Sequence, residues 1–412
     1  MDYTQLVIIH VLYAFSTVLT FWSAFIKSIK LLGPADEQAR LYSTSEGSRY
    51  LIQVITGYIS AGLGAIVLIS TPFLIYKAPT AADPKNLASS SGIFFALLFY
   101  AICYVLAGLL SLFVLPGKFW EKRKIYLEDE RIEYFNPVDQ AYHIFKSEAE
   151  LEAFKKHNTK VFWTKVWTDT KETLSSTSVW LIAFLIFFIM NVYQTIANFG
   201  TNILESLGLE AALSPTLSNT YIYGIPVLGA IFSGLINKKL TKSTAKSLIV
   251  QALFVILGTL AFLVITLASP AKPETGAFNQ ATLWIAFVVI CFIMFFIGAN
   301  RSIFWSTITE LKVNKEIVGL AVGFISIIGF SKDVWLSPLL TGTTNQFIVK
   351  NSQGTSFYSQ QALVAWAIFA LINACLALLV TYMIVRKVKY GKVWVNPKFK
   401  KVFALGEQQY GH

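Results

Sequence analysis

The chain contains nine runs of about twenty mostly apolar residues, and no other feature constrains its fold as strongly. A bilayer core is crossed by about 20 residues of α-helix, in which the backbone satisfies its own hydrogen bonds. The runs predict an all-α membrane protein with about nine transmembrane helices, three before a long polar segment and six after it. They cover residues 5–26, 50–76, 92–115, 178–200, 219–236, 247–268, 281–303, 316–340 and 362–385.

The composition fits a lipid environment and not a soluble enzyme. Charged residues make up 14% of the chain, whereas about 25% is usual for soluble proteins. The net charge is +11, but the basic residues lie between apolar runs, so no nucleic-acid surface is expected. Cys103, Cys291 and Cys375 share no metal-ligand spacing, and no phosphate loop or catalytic triad is present. We expect no enzymatic activity, no metal and no cofactor.

Connecting segments that are rich in lysine and arginine alternate with segments that are poor in them, and this pattern predicts the orientation. The segments 27–49, 116–177 and 237–246 and the tail after residue 385 are rich in basic residues, whereas 201–218 has none. The positive-inside rule then places the N-terminus outside and the C-terminus in the cytoplasm, in a multi-pass plasma-membrane protein. Only six of the 34 basic residues are Arg, which favours a bacterial source with an AT-rich genome.

The polar segment divides the chain into four parts. The parts are an N-terminal three-helix bundle (1–115), a cytoplasmic linker (116–177), a C-terminal six-helix bundle (178–385) and a basic cytoplasmic tail (386–412). Within the linker, Glu, Lys and aromatic residues alternate between Lys146 and Thr173. This pattern predicts an amphipathic helix along the inner membrane face, or else a solvated linker with interfacial aromatic anchors.

Short sequence matches indicate an internal repeat. Phe21-Trp22-Ser23 and Phe304-Trp305-Ser306 each end an apolar run, and the pair Gly47 and Gly57 has the same spacing as Gly319 and Gly329. Repeated halves joined by a long linker are a common transporter architecture, with the substrate between the halves.

On these residues the chain resembles the major facilitator superfamily, in its bacterial nitrate/nitrite-like or organophosphate-antiporter-like branch. The stretches that carry the likeness are Phe21 to Gly33, Glu46 to Arg49, Arg301 to Ser306 with Glu310, and Gly319 to Ser331 with Asp333. The resemblance implies two six-helix bundles around a central cavity. The nine runs look like helices four to twelve of that fold. A partner polypeptide, or self-association, would then supply the counterpart of helices one to three.

Two positions depart from the family pattern. Lys238 stands where the family often has an acid, and Lys332 stands where a proline is expected in the eleventh helix. These departures bear on transport and leave the helical fold as expected.

Charged residues inside apolar runs are the candidate substrate ligands, because they are costly in lipid. A guanidinium group binds planar anions with two donors, so Arg301 is the main candidate, with Asn300 beside it. An Arg that extends to the cytoplasmic face, or one paired with Glu310, is the alternative. Lys332 and Asp333 lie in the next run, and Asp333 is also a candidate for proton coupling.

A polar stripe on the fourth run supplies further candidates. Asn191, Gln194 and Asn198 share one face of the predicted helix, with Tyr193 as an aromatic neighbour. Such stripes line a cavity or form hydrogen bonds between helices. Glu46 and Arg49, at i and i+3, can touch on one helix face. They are candidates for a gate, as is Glu310, or for a structural ion pair.

Two functions remain open at this stage. The first is a secondary transporter, or the larger part of one, that moves a small anionic solute by alternating access. The second is a transporter-derived scaffold or sensor subunit that works with a partner supplying the missing helices. Membrane lipid surrounds the protein in either case.

Overall fold

The computed structural model describes residues 37–70, 124–126, 132–136, 141–209, 213–236, 243–268, 280–314, 317–350 and 356–391, with isolated positions 25, 26, 29, 102, 105, 106, 241 and 393. The chain divides into two compact units. One unit consists of Met1–Ile59 and Ser176–His412, and the other of Ser60–Ser175.

The first unit is built almost entirely from helices, and its first helix, α1, continues into the second unit. The long helices are α1 (Gln38–Ser70), α3 (Thr177–Ser206), α5 (Ile225–Ile236), α6 (Thr244–Ala268), α7 (Gln280–Ile303), α9 (Val318–Gly329), α10 (Lys332–Thr344) and α11 (Gln360–Tyr390). Short elements connect them: α4 (Ser214–Asn219), a π-helical turn (Thr220–Gly224), 3-10 turns (Phe304–Ser306, Asn345–Phe347), α8 (Thr307–Glu310) and the hairpin β4 (Ile348–Lys350) and β5 (Ser356–Tyr358).

Five helical segments in the described part of the chain are long and apolar enough to cross a membrane. They coincide with the last four predicted runs and with the run at 178–200. The segments are Thr177–Ser206, Thr244–Ala268, Gln280–Glu310, Val318–Phe347 and Gln360–Tyr390.

The other four predicted runs are not among these five segments. The run 50–76 falls on α1 and extends beyond it, and the run 219–236 forms the π-helical turn followed by the twelve residues of α5. The runs 5–26 and 92–115 lie outside the described residues apart from a few isolated positions. The predicted count of nine therefore stays a prediction.

The run 316–340 falls on one membrane-competent segment, Val318–Phe347, but that segment consists of two helices. Helix α9 ends at Gly329 and α10 begins at Lys332. The backbone N–H groups of Phe330 and Ser331 still donate to carbonyls in the last turn of α9, so the break is a local turn and not a loop. It places Lys332 in the first turn of a new helix.

Helix α3 lies at the centre of the first unit, where α7, α9, α10 and α11 pack against it. Its buried side chains are mainly Ile, Leu and Val, which pack closely without polar atoms. Helices α5 and α7 approach at backbone distance because glycines face the contact. A Cβ atom on Gly298 would lie 2.6 Å from the Cα atom of Pro226, which leaves no room for a side chain. This contact fixes the end of α7 that carries Arg301.

The second unit contains a small sheet that the sequence pattern does not predict. Strands β1 (Lys124–Tyr126), β2 (Ile132–Asn136) and β3 (Ala141–Phe145) form an antiparallel meander. Strands of three to five residues are too short for periodicity to reveal. Helix α2 (Glu148–Ser175) follows and packs Phe154 against the rings of His143 and Phe145. The predicted helix after Lys146 corresponds to α2.

Candidate functional site

Arg301 occupies the last turn of α7 and is buried between two tyrosine rings. Its side chain is 7% exposed. The Cζ atom of its guanidinium group lies 4.5 Å from the ring centre of Tyr193 on α3 and 5.2 Å from that of Tyr50 on α1. Stacking of a desolvated guanidinium on an aromatic ring is worth about 2 kcal/mol. The two rings thus hold a positive charge inside the helix bundle.

Both alternative interpretations of Arg301 are wrong. The side chain does not extend to the surface, because it is almost completely buried. It also does not pair with Glu310, whose carboxylate is bound elsewhere. The backbone N–H groups of Thr244 and Ala245 donate to Glu310, the second at 2.9 Å.

Glu310 therefore caps the N-terminus of α6. The first N–H groups of a helix have no partners within it and carry a partial positive charge, so a carboxylate there is stabilising. Ser306 adds to the same junction, since its hydroxyl donates to the Thr244 hydroxyl at 2.9 Å. The cap ties the end of α8 to the start of α6. A gating role for Glu310 stays a prediction.

Lys332 is the second buried cation near Tyr193. Its side chain is 3% exposed, and its Nζ atom donates to the Gln194 Oε1 atom at 2.7 Å. The same Nζ atom lies 6.0 Å from the centre of the Tyr193 ring. Because Arg301 lies 4.5 Å from that centre, the two charges are at most 10.5 Å apart, the two distances together. The Tyr193 ring therefore has two buried cations within 6.0 Å of its centre.

The predicted polar stripe on α3 divides into two parts. Gln194, which accepts the bond from Lys332, donates through Nε2 to Asn198 Oδ1 at 2.8 Å. Asn191 instead donates through Nδ2 to Asn373 Oδ1 on α11 at 2.9 Å. Both parts of the stripe therefore bond to other helices, Gln194 to Lys332 and Asn191 to Asn373. That the stripe also lines a cavity stays a prediction.

Asn300 and Asp333 complete the predicted ligands. Asn300 is fully buried, and neither polar atom of its amide has a hydrogen-bond partner among the described residues. Burying an amide in that state costs about 1–3 kcal/mol. Asn300 directly precedes Arg301 in α7, where consecutive side chains point about 100° apart. Asp333 lies in the first turn of α10, and its side chain is outside the described part of the structure.

Glu46 and Arg49 form the predicted contact on α1. The Arg49 Nη2 atom donates to the Glu46 Oε2 atom at 2.5 Å. Glu46 is buried, and its charge also attracts the Arg301 guanidinium. Tyr50 lies one turn after Glu46, and its ring centre is 5.7 Å from the Arg49 Cζ atom. A gating role for the pair stays a prediction.

Among the described residues, the charges around the two tyrosine rings are mainly positive. They are the buried cations Arg301 and Lys332, the partly exposed Arg49 and the buried carboxylate of Glu46. A carboxylate or phosphate group about 4 Å from a guanidinium gains about 4 kcal/mol at an effective dielectric constant of 20. The arrangement suits a small anion. Among the described residues, no group of three His, Cys, Asp or Glu could hold a metal ion.

A cavity of about 750 Å³ lies between α1 and α5, and neither Arg301 nor Lys332 lines it. It is lined by residues of α1 between Arg40 and Leu51 and of α5 between Val227 and Leu235. The two helices run antiparallel here, since Gly57 faces Asn219 and Gly47 faces Ala230. The cavity marks where these helices are not tightly packed together.

Two residues of these contacts were missed by the sequence analysis. Tyr50 stacks on Arg301, and its position one turn after Glu46 could have suggested that it shares the face of the predicted ion pair. Asn373 bonds to Asn191 from α11. A single Asn within an apolar run was the signal for it, but the sequence does not show which helix it faces.

Comparison with known proteins finds distant relatives, and two of them are inner membrane proteins. The chain is similar to the inner membrane protein YqcE of Escherichia coli (strain K12), with 23% identity over 348 residues that cover 81% of this chain and 64% of the relative. It is also similar to the inner membrane protein YihN of the same organism, with 23% identity over 310 residues that cover 75% of this chain and 59% of the relative. No family model matches.

The chain thus spans less than two thirds of the length of these curated relatives. Both relatives are named as inner membrane proteins, and the described part of this chain has five helices able to cross a membrane. Together these findings support a helical membrane protein of bacterial type.

Proposed function

We propose that the protein is a secondary transporter of the major facilitator type that moves a small anionic solute by alternating access. One observation carries the proposal: Arg301 and Lys332, both buried, lie around the same tyrosine ring. Buried charges are rare in membrane helices and usually mark a solute path. Two cations of like sign inside one helix bundle favour a site that takes up an anion.

The polar groups around the cations suit a solute with several oxygen atoms. Arg301 offers a planar fork of donors, and Lys332 offers a point charge already held by Gln194. Asn300 adds an amide with both polar atoms unpaired in the described structure. A phosphate, a carboxylate or nitrate could accept these bonds. Transport is driven by a proton or by exchange for a second anion.

The proposed transporter lies in the plasma membrane and crosses it with nine helices. Its N-terminus is outside the cell, and its C-terminus is in the cytoplasm. A partner polypeptide, or a second copy of the chain, packs against these helices. The distant inner membrane relatives support the membrane location, and the basic connecting segments support the orientation.

The test measures binding and uptake of three probes by the purified full chain: nitrate, inorganic phosphate and succinate. At least one probe should raise the melting temperature of wild type and enter liposomes that contain it. Arg301→Gln should weaken that probe's binding by about a thousandfold, since about 4 kcal/mol of attraction is lost. The matched control is Arg386→Gln, which removes another arginine near a tyrosine, at the end of α11, and should leave binding unchanged.

Two results contradict the proposal. In the first, none of the three anions changes the stability of wild type or is taken up. In the second, Arg301→Gln and wild type bind the same probe equally. If uptake is absent and a partner polypeptide co-purifies in equal amount, the scaffold or sensor function replaces transport.

A further inference from the structure

Glu46, Arg49 and Tyr50 form a continuous face of α1 that reaches toward Arg301. Residues at i, i+3 and i+4 lie on the same side of a helix. The Arg49 Nη2 atom donates to Glu46 at 2.5 Å. The Tyr50 ring lies 5.7 Å from the Arg49 Cζ atom and 5.2 Å from the Arg301 Cζ atom. The two guanidinium groups are therefore linked through one ring.

The single carboxylate of this face acts on both guanidinium groups. Glu46 is 5% exposed, so its charge is poorly screened by solvent. It is bonded directly to Arg49, and it lies one turn before Tyr50, whose ring contacts Arg301, so its charge also attracts Arg301. A buried cation without negative charge nearby is strongly unfavourable. Glu46 thus supplies the negative charge that Arg301 needs when no solute is bound.

We propose that Glu46 is a built-in counter-ion for Arg301 that competes with the transported anion, and that Tyr50 carries the resulting change to α1. The inference rests on the proposed anion site. An anion that binds Arg301 takes over the attraction that Glu46 supplied, so Glu46 is left with Arg49 alone. The attraction between Glu46 and Arg301, which adds to the contact of Tyr50 with Arg301 in holding α1 against α7, is then weakened. Binding is thereby coupled to the freedom of α1 to move away from α7.

A competing counter-ion predicts effects of opposite sign for the two partners on α1. Glu46→Gln removes the competitor and should tighten binding of the probe anion about tenfold, within the usual range of coupling between sites. Arg49→Gln leaves the whole charge of Glu46 to Arg301 and should weaken binding by a similar factor. If Glu46 and Arg49 were only a structural ion pair, both substitutions would act in the same direction or not at all.

Two control variants separate this competition from a general change in charge. Glu205→Gln removes a carboxylate from α3, the helix that carries Tyr193, where it is bonded to Ser214. It lies twelve residues, or about 18 Å, along the helix from Tyr193, which exceeds the screening length of about 8 Å. Arg386→Gln is the matched control for Arg49→Gln. Neither control should change the affinity for the probe.

The experiment uses the full-length protein and whichever of nitrate, inorganic phosphate and succinate binds wild type. Opposite shifts for Glu46→Gln and Arg49→Gln, with unchanged controls, support the inference. If wild type binds a probe and these two variants bind it equally well, the counter-ion role is wrong while the anion site stands.

A second measurement needs no anion. Glu46→Gln should lower the melting temperature of the protein alone, because Arg301 loses its counter-ion. In an Arg301→Gln background the same substitution should lower it much less, since the group that needed the charge is gone. If the fall is equal in both backgrounds, Glu46 and Arg301 are not coupled, and the inference is overturned whether or not an anion binds.

Discussion

A disulfide between α1 and α5 would test whether these helices separate during function. A Cβ atom built on Gly47 lies 3.7 Å from the Cβ atom of Ala230. Disulfides form when the two Cβ atoms are about 3.5–4.5 Å apart. The pair Gly47→Cys and Ala230→Cys should therefore cross-link on mild oxidation without moving the backbone. The three native cysteines would first be replaced by alanine or serine.

The structure sets the size of the expected effect. Once the bond has formed, the two Cβ atoms can separate by less than about 1 Å from their position. Rocking of one bundle against the other, as in alternating access, requires helices at the boundary to part by much more. A fully cross-linked protein should thus lose nearly all transport, and a half-cross-linked sample about half.

The assay follows uptake of the transported probe anion into liposomes before oxidation, after oxidation, and after dithiothreitol. The cross-linked fraction is read from the mobility of the chain after cleavage at a protease site inserted in the polar segment. The control is Gly47→Cys with Gly224→Cys. Gly224 lies six residues, or about 9 Å, along the helix from Ala230, so this pair should neither cross-link nor change uptake.

Transport at the wild-type rate by fully cross-linked protein would refute the reasoning. It would mean that α1 and α5 move as one body, so the boundary that opens lies elsewhere. Loss of uptake that dithiothreitol does not restore would point instead to damage by oxidation, and the Gly224→Cys control would show the same loss.

Two further predictions concern stability, each measured by thermal unfolding in detergent. Glu310→Ala should cost about 1–2 kcal/mol, because it removes the cap of α6, whereas Glu310→Gln should recover part of the loss through its amide oxygen; no change for Glu310→Ala would contradict the cap. Asn191→Leu should cost about 1–3 kcal/mol, because the buried amide of Asn373 loses its partner. Adding Asn373→Leu should restore most of that stability, and a further loss would show that the pair matters for another reason.

The amino-acid sequence by itself determined the membrane character of the chain and the contacts made within one helix. Apolar runs of about twenty residues predict spans, and the five membrane-competent helical segments in the described structure coincide with five of those runs. A lipid solvent makes this inference strong, since a helix satisfies its own backbone hydrogen bonds within the hydrocarbon. The contact between Glu46 and Arg49 followed in the same way, because i and i+3 adjacency depends only on helix geometry.

Tertiary structure alone decided which polar residues of different helices meet. Lys332 bonds to Gln194, 138 residues earlier, and Asn191 bonds to Asn373, 182 residues later. Helix geometry shows which residues share a face, but not which neighbouring helix covers that face. The sequence therefore marked Arg301 and Lys332 as costly in lipid, yet only the packing of α3, α7 and α10 brought both cations to Tyr193. Likewise, only the packing of α8 against α6 brought Glu310 to the start of α6.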